Sequence, residues 1–506
     1  MNKFLVFAVV FFSLASAISN AQITSIATGN WSDIAIWGGG VVPGANDDVV
    51  VNAGNTVTID VNNAACKNIS IDGTLSFPDV DARAIAINGN VLIGATGKFN
   101  TFVTGSPVAL RNQSIVIKGN LTVTAGGNID MRRGSNPNVS IGTVEFAGTT
   151  NSEISLSQTT YGSSIEEFNG IIINKTGGAK VILKAGNLFM SNNTSTGPTI
   201  LTFTSGMIET EGTSIWGYLT TNTVGIVGAS NTSHVRGNLG RGMSNSAGTT
   251  RIFYVGDTQA YRPAVIRSST AQLSTGAMII VTSVLGNANN SSTFTGGIDK
   301  VSEVRYFKVT YYRGAAGADT LTLDSMAISY GFGDGVAAGN INLRVAYSTN
   351  NRAIWTAIQQ TNPYVTSLTD TSRVGGDVLS PRIKISDGQT IYLALARVTG
   401  TTENCLCATV DVEDEDQILS SYSLDQNYPN PFNPTTTIRF SLLENSPVNI
   451  SVYNLLGEKV ITVVDQFYSS GVHEVNFNAA SMESGAYFYK ITTNKFVQTK
   501  KMMLIK

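Results

Sequence analysis

The chain has 506 residues, of which 13% are charged, with a formal net charge of −2 and two histidines. That length exceeds what one ordinary core occupies and predicts several units. The scattered Lys and Arg leave no basic footprint for a nucleic-acid phosphate backbone. Three cysteines, Cys66, Cys405 and Cys407, are too few to staple a chain of this size, so its stability must come from burial and sheet hydrogen bonds. The 50 glycines punctuate short Val, Ile and Thr runs, the vocabulary of strands and tight turns, and predict an all-β protein.

Residues 1–21 read as a signal peptide. Lys3 supplies the positive start, Phe4 to Leu14 is an apolar run shorter than the roughly 20 residues a membrane-spanning helix needs, and Ser19-Asn20-Ala21 offers small residues before Gln22. Cleavage is expected between Ala21 and Gln22.

Residues 22–240 repeat a loose unit of a Gly- or Asn-containing turn followed by a short apolar strand. Examples are Gly73-Thr-Leu-Ser-Phe77, Gly89-Asn-Val-Leu-Ile93, Gly119-Asn-Leu-Thr-Val123 and Gly170-Ile-Ile-Ile173. Units roughly 16 to 30 residues apart suit the rungs of a parallel β-solenoid, each burying its apolar face on its neighbours. Asn recurring at the turns predicts a side-chain ladder along the stack. An irregular antiparallel sandwich is the alternative.

Within this region, residues 31–97 resemble the G8 type of extracellular β-rich domain. The resemblance rests on Trp37-Gly38-Gly39-Gly40, Pro43, Asn46-Asp47-Asp48-Val49-Val50-Val51, Gly54, Val57-Thr58-Ile59-Asp60, Ile69-Ser70-Ile71, Gly73 to Phe77 and Ile93-Gly94. It implies a β-rich extracellular fold and no particular activity.

Residues 241–397 carry longer, more aromatic strands, such as Arg251-Ile-Phe-Tyr-Val255, Val304 to Thr310 and Ile391 to Leu395, and predict an antiparallel β-sandwich. Residues 398–423 read as an acidic linker around Glu413-Asp-Glu-Asp416. Cys405 and Cys407 are expected to be too close for an easy bridge.

From 424 to 506 the pattern is the most specific in the chain. Leu424-Asp-Gln-Asn-Tyr-Pro429-Asn430-Pro431-Phe432-Asn433-Pro434 is expected to form an extended strap that the prolines keep out of sheet pairing. Ile450, Val452 and Tyr453, with Leu455 and Leu456, read as a buried strand entering a turn at Gly457. Gly471 and Gly485 mark later hairpins. About seven short strands in a small sandwich follow. Together with Tyr487 and the closing Lys500-Lys501-Met502, this pattern resembles the type A sorting domains of type IX secretion substrates. The resemblance implies passage through the periplasm, recognition by the type IX machinery, and arrival at the outer surface of a Gram-negative bacterium. The sorting domain is then removed, and the passenger is released or joined to surface lipopolysaccharide.

Catalytic signatures are thin. His234 has Ser233 as a neighbour but lacks a nucleophile elbow, and His473 falls inside the sorting domain. No motif calls for a cofactor, and no histidine or cysteine spacing suits zinc. Asp47, Asp48 and Asp60 are candidate ligands for a glycan or Ca²⁺ in the first rungs, with Asp72, Asp79 and Asp81 nearby, although Asp in such turns ordinarily caps backbone amides. Two functions stay open: a non-catalytic adhesive or glycan-binding surface protein, or a β-helical carbohydrate-active enzyme, a polysaccharide lyase or hydrolase, using paired carboxylates.

Overall fold

The computed structural model describes residues 22–506 except 79–80, 102–110, 136–137, 160–166, 191–200, 220–224, 244–247, 269–276, 289–292, 313–319, 331–333, 335, 337–341, 359–371, 378–381, 403, 408–421, 443–445, 469–470 and 506. The proposed signal peptide and the acidic run 413–416 therefore lie outside the described residues. The chain divides into two compact units, Met1–Thr409 and Val410–Lys506.

The first unit begins as a three-sided parallel β-solenoid. One wall is an all-parallel sheet of ten strands, from Ile23–Thr24 through Asp48–Val51, Asn68–Ile71 and onward to Val255–Gly256. A second wall runs from Gly29–Asn30 to Leu239–Gly242, and a third from Ala64–Cys66 to Ile226–Val227. Period-2 burial explains the stacking, because alternate side chains point inward and meet the equivalent residue one rung away. Val49, Ile69, Val91, Leu121 and Ile154 form one such inward column, and Val57, Leu75, Phe99 and Ile129 another. All of them are buried.

Two local devices let rungs of unequal length keep this register. Glycines stand where neighbouring rungs touch; at Gly97 a Cβ would collide with the Ile71 carbonyl oxygen. An asparagine ladder then joins the turns. Asn68 donates Nδ2–H to Asp48 Oδ1 (2.7 Å) and accepts the Asn90 amide on Oδ1 (2.7 Å). Asn90 Oδ1 accepts the Asn120 amide (2.8 Å), and Asn120 Oδ1 accepts that of Glu153 (2.9 Å). The bonded partners lie 20 to 33 residues apart in sequence, so rung length varies while the ladder holds pitch.

Strand Leu239–Gly242 is where the topology changes. It pairs in parallel with Trp216–Tyr218 on one side and antiparallel with Met278–Leu285 on the other. The second wall thus continues directly into strands Arg305–Tyr312, Thr390–Val398 and Leu343–Ser348. A separate antiparallel sheet of Thr249–Phe253, Ala264–Ser268, Thr320–Tyr330, Ser372–Asp377 and Ile383–Ser386 completes the sandwich layers. Buried arginines close the solenoid core here. Arg241 Nη1 donates to Ile252 O (2.7 Å) beside the Tyr218 ring, and Arg251 Nε donates to Gly242 O (3.0 Å). Asp334 is fully buried, receiving Arg262 Nε at 2.6 Å and facing Arg305 Nε at 3.1 Å.

Cys405 and Cys407 are joined in a disulfide, against expectation. Two residues of extended strand would separate the Cα atoms by about 6.7 Å. Leu406 adopts φ +48° and folds the chain back, bringing them to 5.0 Å. Leu406 is thereby turned fully into the core of the first unit. Cys66 is a buried free thiol, which burial, reinforced by Asp48 and Asp47, pushes up to about 12.

The second unit is a seven-stranded antiparallel sandwich. Ser423–Leu424, Thr435–Leu442 and Gly471–Asn478 form one sheet. The other contains Lys459–Tyr468, Ser446–Tyr453, Gly485–Thr492 and Val497–Leu504. Phe432, Phe440, Ile450, Tyr489, Met502 and Leu504 fill the space between.

Candidate functional site

The strap of the second unit is tied down at nearly every residue. Asn427 is buried; its amide donates to the Tyr489 hydroxyl (2.8 Å), its Nδ2 reaches Pro429 O (3.1 Å) and Thr436 Oγ1 (2.9 Å), and its Oδ1 accepts from Gln426 Nε2 (2.8 Å). Both the Tyr428–Pro429 and Asn430–Pro431 peptide bonds are cis. The prolines do not keep the strap out of sheet pairing. Phe432, which still has its own N–H, donates to Met503 O (2.9 Å) and accepts from the Ile505 amide (2.9 Å), a parallel bridge onto the last strand. Asn430 Oδ1 accepts the Met503 amide (2.9 Å), and Pro434 O accepts the Ala479 amide (2.9 Å). Asn433 is exposed between them.

The other motif residues fall around this core. Gly457 takes φ +81° in the turn that Asn454 closes through its side chain and Glu458. That turn projects Leu455 (68% exposed) and Leu456 (84%) outward, so they do not extend the buried strand ending at Tyr453. Gly471 and Gly485 open two strands, and the Tyr487 hydroxyl donates to Glu483 O (2.9 Å). Of the terminal trio, Met502 is fully buried and Lys501 exposed, with Lys500 between these extremes. His473 packs against Phe440 and Tyr468, ring centroids 5.4 and 4.8 Å away.

In the solenoid, the three candidate aspartates are not brought together around a common point. Asp47 Oδ2 accepts the Gly44 amide (2.8 Å), and Asp48 heads the asparagine ladder. Asp60 accepts both the amide (3.0 Å) and the hydroxyl (2.5 Å) of Ser32. Asp81 pairs with Arg83 at 2.8 Å, and Asp79 lies outside the described residues. Among the described residues, no group of three or more His, Cys, Asp or Glu is placed to hold a metal ion. Gln22, after the expected cleavage point, is exposed, and Ala21 lies outside the described residues.

A groove of about 300 Å³ opens instead at the late rungs, lined by Glu209, Thr210, Arg236, Asp257, Val284 and Leu285 among others. Sequence reasoning missed it because its residues come from four strands far apart in sequence, Met207–Thr210, Val235–Arg236, Val255–Gly256 and Met278–Leu285, which only the tertiary fold brings together. Glu209 Oε2 binds Lys180 Nζ at 2.5 Å, and Glu209 Oε1 lies 3.6 Å from Arg236 Nη1. Arg236 Nε donates to Asp257 O (3.1 Å). The Asp257 carboxylate accepts the amides of Gln259 (2.9 Å) and Ala260 (3.1 Å) and the Ser283 hydroxyl (3.3 Å), with Arg305 Nε at 3.4 Å. Below the groove, His234 is buried against Tyr261, its Nδ1 3.0 Å from Ser230 O. Burial holds its imidazole below the ordinary histidine range, so it rests neutral.

A parallel solenoid and a compact seven-stranded terminal sandwich define an all-β protein of two separate units. Residues 426–506 match the secretion system C-terminal sorting domain, and residues 36–178 match the G8 domain, whose match extends well past residue 97. The chain thus carries a type IX sorting domain and a G8 domain, and is a secreted or cell-surface protein that engages the type IX secretion machinery. No curated protein and no solved structure matches the chain.

Proposed function

We propose that the passenger is a non-catalytic, glycan-binding adhesive protein displayed on the outer surface of a Gram-negative bacterium. It leaves the cytoplasm on residues 1–21, loses them between Ala21 and Gln22, and folds in the periplasm. After export the sorting domain is removed, and the passenger is released or attached to lipopolysaccharide. The acidic run 413–416 falls between passenger and address, since Leu406 already belongs to the passenger's core and Ser423 to the first strand of the address domain.

The observation that supports binding over catalysis is the state of the groove's charges. A general acid or base needs a carboxyl group free to exchange a proton with substrate. Glu209 is held between Lys180 and Arg236, and Asp257 is occupied by two amides, a hydroxyl and Arg305. Among the described residues, the lining contains no aromatic side chain.

Incubating the mature chain, from Gln22 onward, with a panel of polysaccharides tests this reading. Binding without new reducing ends or unsaturated products is the expected result. Release of either product would establish the carbohydrate-active enzyme instead.

A further inference from the structure

The groove is the end of a longer feature. On the outer face of the ten-stranded wall, three carboxylates and three cations alternate from rung to rung. Lys184 Nζ spans Glu153 (3.5 Å) and Glu211 (2.8 Å). Lys180 and Arg236 flank Glu209. Their register is set by the stacking, with Glu153 opposite Ile182, Ile182 opposite Glu209, and Glu209 opposite Arg236. The strip is dense in donors and acceptors and carries no surplus charge.

Three physical properties of this strip select a ligand. Adjacent sugar hydroxyls each donate and accept one hydrogen bond, and a carboxylate beside a guanidinium or ammonium offers an acceptor and a donor side by side. An anionic glycan would need uncompensated cations, and here every cation already faces a carboxylate. The groove adds an apolar wall, Val284 and the 38% exposed Leu285, against which the C–H face of a sugar ring can lie, and its volume suits a single ring. Rungs repeat at about 4.8 Å, close to the advance of one pyranose unit in an extended glycan, so successive sugars meet successive rungs, on which carboxylates and cations alternate.

We propose that this strip and groove bind a neutral polysaccharide lying along the solenoid axis, one sugar seated between Glu209, Arg236 and Leu285. This rests on the glycan-binding reading above and adds the class of glycan and the residues that hold it.

Affinity electrophoresis of the mature chain tests it, with gels containing hydroxyethyl cellulose, galactomannan, arabinoxylan or dextran as neutral probes and polygalacturonate as the acidic one. Retardation by at least one neutral polysaccharide and not by polygalacturonate is expected. The double variant Glu209→Gln with Arg236→Gln keeps side-chain size and should weaken that retardation about tenfold, roughly 1.4 kcal/mol. The control pair Asp299→Asn with Arg397→Gln removes a similar ion pair elsewhere, 2.9 Å in length, and should leave retardation unchanged. Circular dichroism and thermal melting confirm that each variant folds. Neutral-glycan binding untouched by the double variant would overturn this site while leaving the glycan-binding reading standing. Retardation by polygalacturonate alone would overturn the ligand class. No retardation by any probe would overturn both proposals.

Discussion

The Tyr489 hydroxyl donates to the Asp425 carbonyl at 2.6 Å while receiving the Asn427 amide at 2.8 Å, so one phenol clamps the strap to the central strand Gly485–Thr492. Burial pushes this hydroxyl up to about 12, keeping it protonated and able to donate throughout the physiological range. Tyr489→Phe retains the packed ring and removes both bonds, leaving the buried Asn427 amide unpaired. A loss of about 1–3 kcal/mol is expected, read as a lower urea midpoint for the sorting domain's transition. An unchanged midpoint would show that the strap is held without the phenol.

The last strand, Val497–Leu504, buries Met502 and Leu504 and receives the strap through Met503. Deleting residues 500–506 removes both contacts, so the protein should accumulate in the periplasm, detected by cell fractionation and immunoblotting. Met502→Lys, which buries an unpaired charge at the same place, should do the same. Normal surface appearance of both variants would contradict a role for this strand in sorting.

Lys175 is buried within the solenoid, its Nζ donating to Ala147 O (2.5 Å) and Lys118 O (3.3 Å) with no carboxylate opposite it in these bonds. Burial lowers its pKa from 10.5 to about 8. Between these values the unfolded chain binds more protons than the folded one, so this group makes stability rise with pH across that interval. Below pH 8 the cost of burying the charge is fully present. Lys175→Met should abolish the increment, so the difference between wild-type and variant unfolding free energies should change from pH 8 to 10.5. Parallel pH profiles would refute it.

Asn68 makes two ladder bonds, one to Asp48 and one from Asn90. Asn68→Ala should cost about 1–2 kcal/mol. Asn68→Asp keeps the acceptor for Asn90 but sets a second carboxylate against Asp48, and should recover stability only as the pair protonates at acid pH. Thermal melts of both variants from pH 4 to pH 8 distinguish the two effects.

Several elements are legible in the sequence because their cause is local. Gly-turn-strand units with inward Val, Ile and Leu at period two can bury their faces only by stacking, and the recurring Asn at the turns fits the ladder that Asn68, Asn90 and Asn120 form. The sorting domain's prolines, glycines and terminal Met502 carry their pattern in consecutive residues. Leu455 and Leu456 misled because hydrophobicity does not reveal on which side of a turn a strand ends. Cys405 and Cys407 misled because the positive φ of Leu406, which brings them together, has no signature at a leucine.

The sequence by itself determined the all-β class, the solenoid repeat and the address domain, since each follows from periodicity and local turn chemistry. Only the tertiary structure decided which charges meet. Lys180, Glu209, Arg236 and Asp257 are spread along the chain and become neighbours through a register that depends on the lengths of the intervening rungs. Long-range placement of this kind depends on how the whole stack closes, a property that no local window contains.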